Sequence, residues 1–282
     1  MRPPNLRTSL LAVLRNVTIL GSGSGGNSVY IETGETRLLI DAGLSARQIG
    51  LRLAQIGRTF DSISAILLTH EHGDHTNALS VLAKRQSIPV YCNRLTQEAV
   101  ADQLGFAFPH RQFATGATFE IGDVAVESFA VPHDAQDPTG FMIRTAASTI
   151  GLVTDLGHVT RLVIERLRRA NILILESNHD VQMLQDDVRR PWHLKQRILS
   201  RHGHLSNEAA AAAAVQLASE ELKHLVLYHL SQDCNQPGLA RQAVGEQLAK
   251  IGASHIQVET AAQDSPMAIY NLPEIPTPQP AV

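Results

Sequence analysis

The segment over residues 65–79, AILLTHEHGDHTNAL, contains the densest group of potential metal ligands in the chain. Four of its side chains carry nitrogen or oxygen donors: His70, His72, Asp74 and His75. Two histidines that are two residues apart on extended backbone point to the same side of the chain. The aspartate and histidine that follow lie where an apolar strand gives way to a helix, so all four donors can converge. This donor set suits Zn²⁺, Mn²⁺ or Fe²⁺, and the spacing favours a metal site over a polar surface loop.

Four more potential ligands occupy equivalent positions, because each ends an apolar run. They are Asp41 at the end of TRLLID, His133 of VESFAVPH, Asp155 of IGLVTD and His229 of HLVLYH. A single histidine in such a place is more often a satisfied core or surface residue than a ligand. Four strand ends beside an H-x-H-x-D-H segment instead predict side chains that converge on one cleft.

A glycine-rich stretch near the start, ILGSGSGGNSVYIETG, raises the alternative of a nucleotide-binding loop. Gly21, Gly23 and Gly26 fit G-x-G-x-x-G, and Asp41 lies about twenty residues further on, where an acid could bind a ribose. A dinucleotide site also needs a helix directly after the glycines to bind the pyrophosphate. Residues 27–33 alternate like a strand instead, and no Lys-Ser/Thr pair completes a P-loop. The stretch therefore predicts a strand-turn-strand connection and no dinucleotide cofactor.

A basic segment over residues 189–201 contains one tryptophan and leads into GHLSN, at a predicted helix start. Such a segment suits phosphate contacts and base stacking, and its alternative is an ordinary solvated amphipathic helix. The candidate substrate-binding residues are Lys195, Arg197, Ser206 and Asn207. Two histidines in neighbouring motifs, His179 in ESNHD and His204 in GHLSN, are candidates for proton donors or phosphate ligands, with a purely structural role as the alternative.

Composition describes an ordinary globular protein of 282 residues with a formal net charge of −3. The overall charge therefore predicts no polyanion partner, and a nucleic-acid surface would have to be a local patch. Two cysteines, Cys92 and Cys234, form no C-x-x-C motif, which favours a reducing compartment and predicts a cytoplasmic protein. No stretch approaches about eighteen apolar residues, so we expect no membrane span.

The elements that must position these side chains are strand-like runs with helical patterns dispersed between them. Ser45 can cap a helix that runs to about Ile56, another helix follows His75, and Ser206 or Asn207 can cap an alanine-rich helix over residues 208–221. The order predicts a layered α/β sandwich. We expect an N-terminal extension over residues 1–15, one hydrolase domain over residues 16–270 and a disordered proline-rich tail over residues 271–282. The strand-like runs are residues 17–20, 28–33, 36–42, 65–70, 89–93, 117–133, 140–145, 150–155, 171–176, 224–230 and 256–259.

With these motifs the chain resembles the metallo-β-lactamase superfamily over nearly all of residues 17–259. The resemblance implies a four-layer αββα sandwich and two divalent metal ions. It assigns Asp155 as the bridging ligand. It assigns Asp41 as a residue that supports the loop over residues 70–75, called here the metal loop. The implied ligands are His70, His72 and His133 for one ion, and Asp74, His75 and His229 for the other.

Further motifs resemble one branch of that superfamily, the YycJ-type (WalJ-type) DNA exonucleases that act from 5′ to 3′. Other branches fit less well. The diiron oxygen-reducing proteins carry Glu where this chain has His72, the β-lactamases with a thiolate ligand carry Cys at the position of Asp155, and nucleases with a β-CASP insertion are much longer. The motifs that carry the closer resemblance are GSGSGGNS, VPHDAQDPTGF, LESNHD, LKQRILSRHGHLSN and YHLSQDCN.

The function predicted from these observations is a dinuclear metal-dependent phosphodiesterase, a 5′-to-3′ exonuclease acting on DNA. Two cations sharing Asp155 would lower the pKa of a bridging water to about 7, which supplies hydroxide at neutral pH. The metals would be Zn²⁺ or Mn²⁺, with Fe²⁺ as a further alternative, and the catalytic residues Asp74, Asp155, His179 and His204. One alternative is a hydrolase of the same fold that attacks a thioester, lactone or cyclic phosphodiester. Another is a non-catalytic metal-binding regulatory protein.

Overall fold

The computed structural model describes residues 13–85 and 88–271. Within these ranges the strands form two seven-stranded sheets. In the first sheet the spatial order is β14-β1-β2-β3-β4-β5-β6. The pairs from β14 to β3 are antiparallel, and those from β3 to β6 are parallel. Its strands are β1 (Asn16–Gly21), β2 (Ser28–Glu32), β3 (Arg37–Ile40), β4 (Ala65–Leu67), β5 (Val90–Cys92), β6 (His110–Gln112) and β14 (Met267–Asn271).

The second sheet has the order β13-β12-β11-β10-β9-β8-β7. Its pairs from β7 to β10 are antiparallel and those from β10 to β13 are parallel. Each sheet therefore has an antiparallel half and a parallel half. Its strands are β7 (Thr118–Ile121), β8 (Val124–Ala130), β9 (Thr139–Arg144), β10 (Thr149–Val153), β11 (Ile172–Glu176), β12 (His224–Tyr228) and β13 (Gln257–Thr260).

Helices cover the outer face of each sheet. The first sheet packs against α1 (Ala46–Gln55), α3 (Leu79–Arg85) and α4 (Arg94–Leu104). The second packs against α5 (Arg161–Leu167), α8 (Asn207–Leu217) and α9 (Pro237–Lys250). Two short helices follow strand ends, α2 (Gly73–Thr76) and α6 (Val181–Asp186), and a third, α7 (Trp192–Ile198), follows α6; a 3₁₀ turn spans Phe60–Ser62.

The alternation of side chains along each strand produces the layers. In β3, Leu38 and Ile40 lie in the core between the two sheets, whereas Leu39 lies between the first sheet and its helices. Strands that are buried on both faces have continuous apolar sequences. The predicted four-layer αββα sandwich is confirmed.

Several predicted boundaries need correction. The run predicted over residues 117–133 is two strands, because Gly122, with φ of 58°, turns the chain between β7 and β8. Strands β6 and β14 were not predicted, since the β6 sequence HRQ has no apolar pattern. The alanine-rich helix ends at Leu217 rather than residue 221, whereas α1 has its predicted Ser45 cap.

The predicted terminal segments lie mostly outside the described residues. Within the described part, Leu14 is buried in the core between the sheets and Asn271 ends β14. None of the described helices combines the length and the apolar character needed to cross a bilayer.

Candidate metal centre

The potential metal ligands meet at one edge of the sandwich because each follows the end of a strand. His70 and His72 follow β4, and α2, which carries Asp74 and His75, comes directly after them. The remaining three follow β8, β10 and β12 respectively: His133, Asp155 and His229. The structure thus brings together all seven residues to which the sequence assigned metal ligation.

The first group of donors contains His70, His72 and His133, whose ligand atoms lie within 4.8 Å of one another. His133 Nε2 is 3.3 Å from His72 Nδ1. Nε2 of His70 is buried and has no hydrogen-bond partner. A buried polar atom without a partner is costly, so this group fits a divalent cation that accepts three imidazole nitrogens.

The second group contains Asp74, His75, Asp155 and His229, again with donor atoms within 4.8 Å of one another. His75 Nε2 lies 3.1 Å from Asp155 Oδ2, and His229 Nε2 lies 3.2 Å from Asp74 Oδ2. The other oxygen of Asp155, Oδ1, is 3.8 Å from His133 Nε2 in the first group. The Asp155 carboxylate therefore lies between the two groups.

Asp41 orients the metal loop from behind. Its Oδ2 accepts a hydrogen bond from His75 Nδ1 at 2.7 Å, and its Oδ1 accepts one from the Thr69 backbone N–H at 2.8 Å. With Nδ1 engaged, His75 presents Nε2 to the site. A carboxylate that fixes the tautomer of a ligand histidine in this way makes the histidine a stronger metal ligand.

The electrostatics of the centre favour ionised carboxylates. Burial alone would raise the pKa of Asp155, but His229 and His75 hold that pKa well below its usual range. Burial likewise acts to lower the pKa of His75, and Asp155 and Asp41 raise it well above its ordinary value. Burial and the neighbouring His75 lower the pKa of His70. The centre thus holds negative charge among imidazoles, an environment that attracts cations.

The sequence analysis missed Glu176, a fully buried carboxylate at the end of β11. Its Oε1 accepts hydrogen bonds from His204 Nδ1 at 2.7 Å and His229 Nδ1 at 3.0 Å, and its Oε2 from the backbone N–H groups of Leu156 and Leu205. Burial acts to raise its pKa, but the nearby histidines, His204 foremost, lower the pKa to about 2. Glu176 ends the apolar run NILILE, so the same position rule that selected Asp155 would have found it.

The two candidate proton donors occupy different parts of one pocket. His204 borders the metal centre, with Nδ1 3.6 Å from Asp155 Oδ1 and its ring centroid 5.2 Å from that of His133. His179 is buried, and neither of its ring nitrogens has a hydrogen-bond partner.

Among the candidate substrate-binding residues, the structure brings Arg197 to the pocket and leaves Lys195 out of its lining. Arg197 is exposed and forms an ion pair with Asp134 beside the metal centre. Lys195 is buried, and its ammonium donates to the Gln185 carbonyl at 2.6 Å. Lys195 and Arg197 lie two positions apart on α7, so their side chains point to nearly opposite faces of the helix, and a substrate contact by Lys195 stays a prediction.

The two polar residues of the GHLSN motif also use their side chains within the fold. The Ser206 hydroxyl caps α8 by accepting from the Ala209 N–H. Asn207 is buried, and its amide exchanges hydrogen bonds of 2.9 Å with Asn235. Neither residue lines the pocket, and the substrate contact expected of them stays a prediction.

The glycine-rich stretch forms the first β-hairpin, as predicted, since β1 and β2 pair antiparallel on either side of it. It supports the metal loop. The Asn27 N–H donates to the Asp74 carbonyl at 2.8 Å, and a Cβ on Gly43 would lie 1.6 Å from that same oxygen. The small residues here permit the close backbone approach that holds Asp74 in place.

Comparisons with known proteins agree with this geometry. A family model described as a beta-lactamase superfamily domain matches residues 36–230. The chain is 41% identical to Exodeoxyribonuclease YycJ of Bacillus anthracis over 238 residues, which cover 83% of this chain and 89% of that protein. It is 39% identical to Exodeoxyribonuclease WalJ of Streptococcus pneumoniae over 237 residues, which cover 83% and 88% of the two chains.

Among solved structures, the metallo-beta-lactamase fold protein YhfI from Bacillus subtilis superimposes with a TM-score of 0.68. The two chains are 17% identical, and the match covers 90% of this chain and 99% of YhfI, which shows a shared fold. The seven converging ligands, the four layers and the identity to two curated relatives lead to one conclusion: the chain belongs to the metallo-β-lactamase superfamily, in its YycJ-type branch.

Proposed function

We propose that the protein is a metal-dependent exodeoxyribonuclease that cleaves phosphodiester bonds in DNA from the 5′ end. The observation that carries the proposal is the Asp155 carboxylate, which lies between two complete groups of metal donors. Two curated relatives named exodeoxyribonucleases, each matched over 83% of this chain, support DNA as the substrate.

The first group, His70, His72 and His133, would hold one divalent ion, and the second group would hold another with Asp155 shared between them. We propose Zn²⁺ or Mn²⁺ as the ions, because imidazole and carboxylate donors suit both. When bound, such ions activate water at neutral pH and offset the charge of the phosphate.

His204 is the proton donor for the leaving oxygen in this proposal. Its Nδ1 donates to Glu176, which leaves Nε2 free to face the pocket. Burial alone would lower the pKa of His204, but Glu176 and Asp155 raise it above its ordinary value, which favours the protonated form that a general acid needs. A positioned general acid of this kind contributes about 10²- to 10⁴-fold to a rate.

Two arginines of the pocket suit the neighbouring phosphates of a polymer. Arg197 lies on α7 beside Asp134, and Arg190 precedes that helix and pairs with Asp187 and Asp233. Guanidinium groups bind phosphate oxygens in a bidentate manner, and each contact to DNA releases counterions.

We also propose a cytoplasmic location. Cys92 and Cys234, the two cysteines of the chain, are both unpaired and buried, which is usual in a reducing compartment.

The test begins with metal-loaded protein, analysed for about two ions per chain, and 5′- and 3′-labelled DNA strands. We expect mononucleotide release from the 5′ end, and a His204→Ala variant that loses about 10²-fold or more of this activity. The same variant should keep most of its turnover of bis(p-nitrophenyl) phosphate, because p-nitrophenolate leaves without protonation.

Two outcomes would contradict the proposal. Turnover of a thioester or lactone with none of DNA would favour the small-molecule hydrolase, and metal binding without any turnover would favour the regulatory protein. A loaded wild-type protein that never exceeds one ion per chain would contradict the dinuclear centre.

A further inference from the structure

The lining of the pocket beside the metal centre contains two unlike sets of residues. The pocket is a cavity of about 270 Å³, near the lower end of the volumes usual for small-ligand sites. One set comprises metal-ligand candidates and His204. The other, called here the second side, comprises the apolar Leu184 of α6, Leu194 and Ile198 of α7, and the imidazole of His179.

His179 is the unusual member of the second side. Its exposed fraction is 1%, and neither ring nitrogen has a hydrogen-bond partner. A buried polar group without a partner destabilises the fold, and a ligand that hydrogen-bonds to it removes that cost. His179 belongs to no group of metal donors in the described part of the chain.

The backbone fixes the position of this imidazole before any ligand binds. The His179 carbonyl accepts a hydrogen bond from the Asn207 N–H at 2.9 Å, and a parallel bridge joins His179 to Ser206. This contact anchors the residue to the start of α8. The backbone is thus fixed and the side chain is confined by its burial, so the imidazole loses little further entropy on binding a ligand.

The chemistry of this side matches a nucleobase better than a phosphate. Burial lowers the pKa of His179 to about 4, so at neutral pH the ring is uncharged and offers one donor and one acceptor. The edge of a base presents the same pairing of donor and acceptor, and its flat faces are apolar. The phosphate-binding charge lies elsewhere, on Arg190 and Arg197.

We propose that the second side is a nucleoside subsite, in which His179 hydrogen-bonds the edge of the base next to the cleaved phosphate while Leu184, Leu194 and Ile198 pack against its face. The proposal rests on the proposed function and deepens it, because it identifies the nucleoside as a recognised part of the substrate. His179 is then a substrate-binding residue, distinct from the proton donor His204.

The test compares two ligands that differ only in the base. Calorimetry on the metal-loaded protein would measure the affinity for thymidine 5′-monophosphate and for 2-deoxyribose 5-phosphate. We expect the nucleotide to bind at least about fivefold more tightly, and His179→Ala to weaken nucleotide binding roughly two- to tenfold while leaving sugar phosphate binding unchanged. The matched control is His193→Ala, because His193 is exposed on α7 and lies outside the pocket lining.

A second variant covers the case in which His179→Ala does not fold. Ile198 is half-buried in the apolar side, and Ile198→Ala should reduce the preference for the nucleotide by roughly two- to fivefold through lost apolar contact. Equal affinity of the wild type for both ligands would overturn the proposal. Equal weakening of both ligands by His179→Ala would also overturn it, since the residue would then act on the phosphate or on the fold.

The test of the nucleoside subsite can fail or succeed independently of the test of the exonuclease activity. Binding of the two ligands requires no DNA cleavage, so a protein that prefers the nucleotide but does not degrade DNA contradicts the exonuclease and supports the subsite. A protein that degrades DNA with no preference between the ligands supports the exonuclease and contradicts the subsite. DNA whose 5′-terminal nucleotide lacks its base would then be degraded as fast as intact DNA.

Discussion

Three residues of the metal centre have left-handed backbone conformations although none is glycine. The φ angles are 60° for Asp41, 52° for Asp155 and 58° for His229. Asp41 and His229 directly follow β3 and β12, and Asp155 lies two residues after the end of β10. The side chains of Asp155 and His229 line the pocket, whereas that of Asp41 contacts His75 and Thr69 behind it. Such conformations cost about 1–3 kcal/mol each and persist where the surrounding structure imposes them. Local strain is therefore concentrated at the residues that build the site.

The support that Asp41 gives to His75 leads to a prediction at the residue scale. Asp41→Asn should keep the backbone, because asparagine tolerates the left-handed region, but it removes the charge that His75 Nδ1 contacts at 2.7 Å. We expect metal affinity to fall by about 10- to 100-fold, measured by competition with a chromogenic chelator. Asp102→Asn on the exposed face of α4 is the control. Unchanged affinity would show that Asp41 only holds the Thr69 backbone.

At the scale of elements, the metal loop depends on its contact with the loop between β3 and α1, which contains Gly43. The Cβ of an alanine at position 43 would lie 1.6 Å from the Asp74 carbonyl oxygen, a backbone atom that cannot move without displacing the loop. Gly43→Ala should therefore lower the stability by about 1–3 kcal/mol and reduce metal content. Gly34→Ala is the matched control, because nothing lies within 4 Å of the added Cβ. Thermal unfolding and elemental analysis would measure both, and equal behaviour of the two variants would contradict the role of Gly43.

Helix α7 presents one basic residue to the pocket and buries another, which leads to a second prediction at this scale. Arg197→Ala should flatten the salt dependence of DNA binding by roughly 0.7 to 0.9 in the slope of log affinity against log salt. Lys195→Met should leave the slope unchanged, because the ammonium is engaged by the Gln185 carbonyl. Fluorescence anisotropy at several salt concentrations would measure the slopes. A flatter slope for Lys195→Met would show that α7 rearranges when DNA binds.

For the whole molecule, stability at low pH depends on a buried carboxylate far from the metal centre. Glu32 is 1% exposed, accepts a hydrogen bond from the Tyr30 hydroxyl at 2.9 Å and pairs with Arg37 and Arg58. Burial acts to raise its pKa, but Arg58 and Tyr30 lower it below the ordinary value of 4.5. A carboxyl with a lowered folded-state pKa stabilises the fold above its unfolded-state pKa. That contribution is lost as the pH falls below about 4.5 toward the folded-state value.

Glu32→Gln should consequently lower the free energy of unfolding by about 1–3 kcal/mol at pH 7, since the neutral amide no longer offsets the charge of the two partly exposed arginines. It should also remove part of the acid dependence below pH ~4.5. Chemical denaturation at several pH values would measure both effects. Glu98→Gln is the control, because its pair with Arg94 is exposed and should contribute less than about 0.5 kcal/mol. Equal losses in the two variants would contradict the dominance of the buried cluster.

The sequence by itself predicted the candidate metal ligands that the fold brings together, and the class of fold. His70, His72, Asp74 and His75 are adjacent in the chain, so their spacing alone shows that they can converge. The remaining ligands end apolar runs, and strand ends are visible in a sequence because buried strands are continuous apolar segments. For the same reason a layered α/β sandwich was predicted, its four layers being implied by the resemblance to the superfamily, whereas the polar edge strand β6 was not predicted.

The tertiary structure alone decided which polar side chains remain available to a ligand. Lys195 and Asn207 have the types expected of substrate-binding residues, but hydrogen bonds to distant parts of the chain occupy them, and no spacing rule reveals such partners. Glu176 became important because folding places its carboxylate between His204 and His229. His179 is distinctive for the opposite reason, since folding buries its imidazole beside the pocket without a partner. Whether a polar side chain can bind a ligand depends on its contacts with residues elsewhere in the sequence, and only the folded chain determines those contacts.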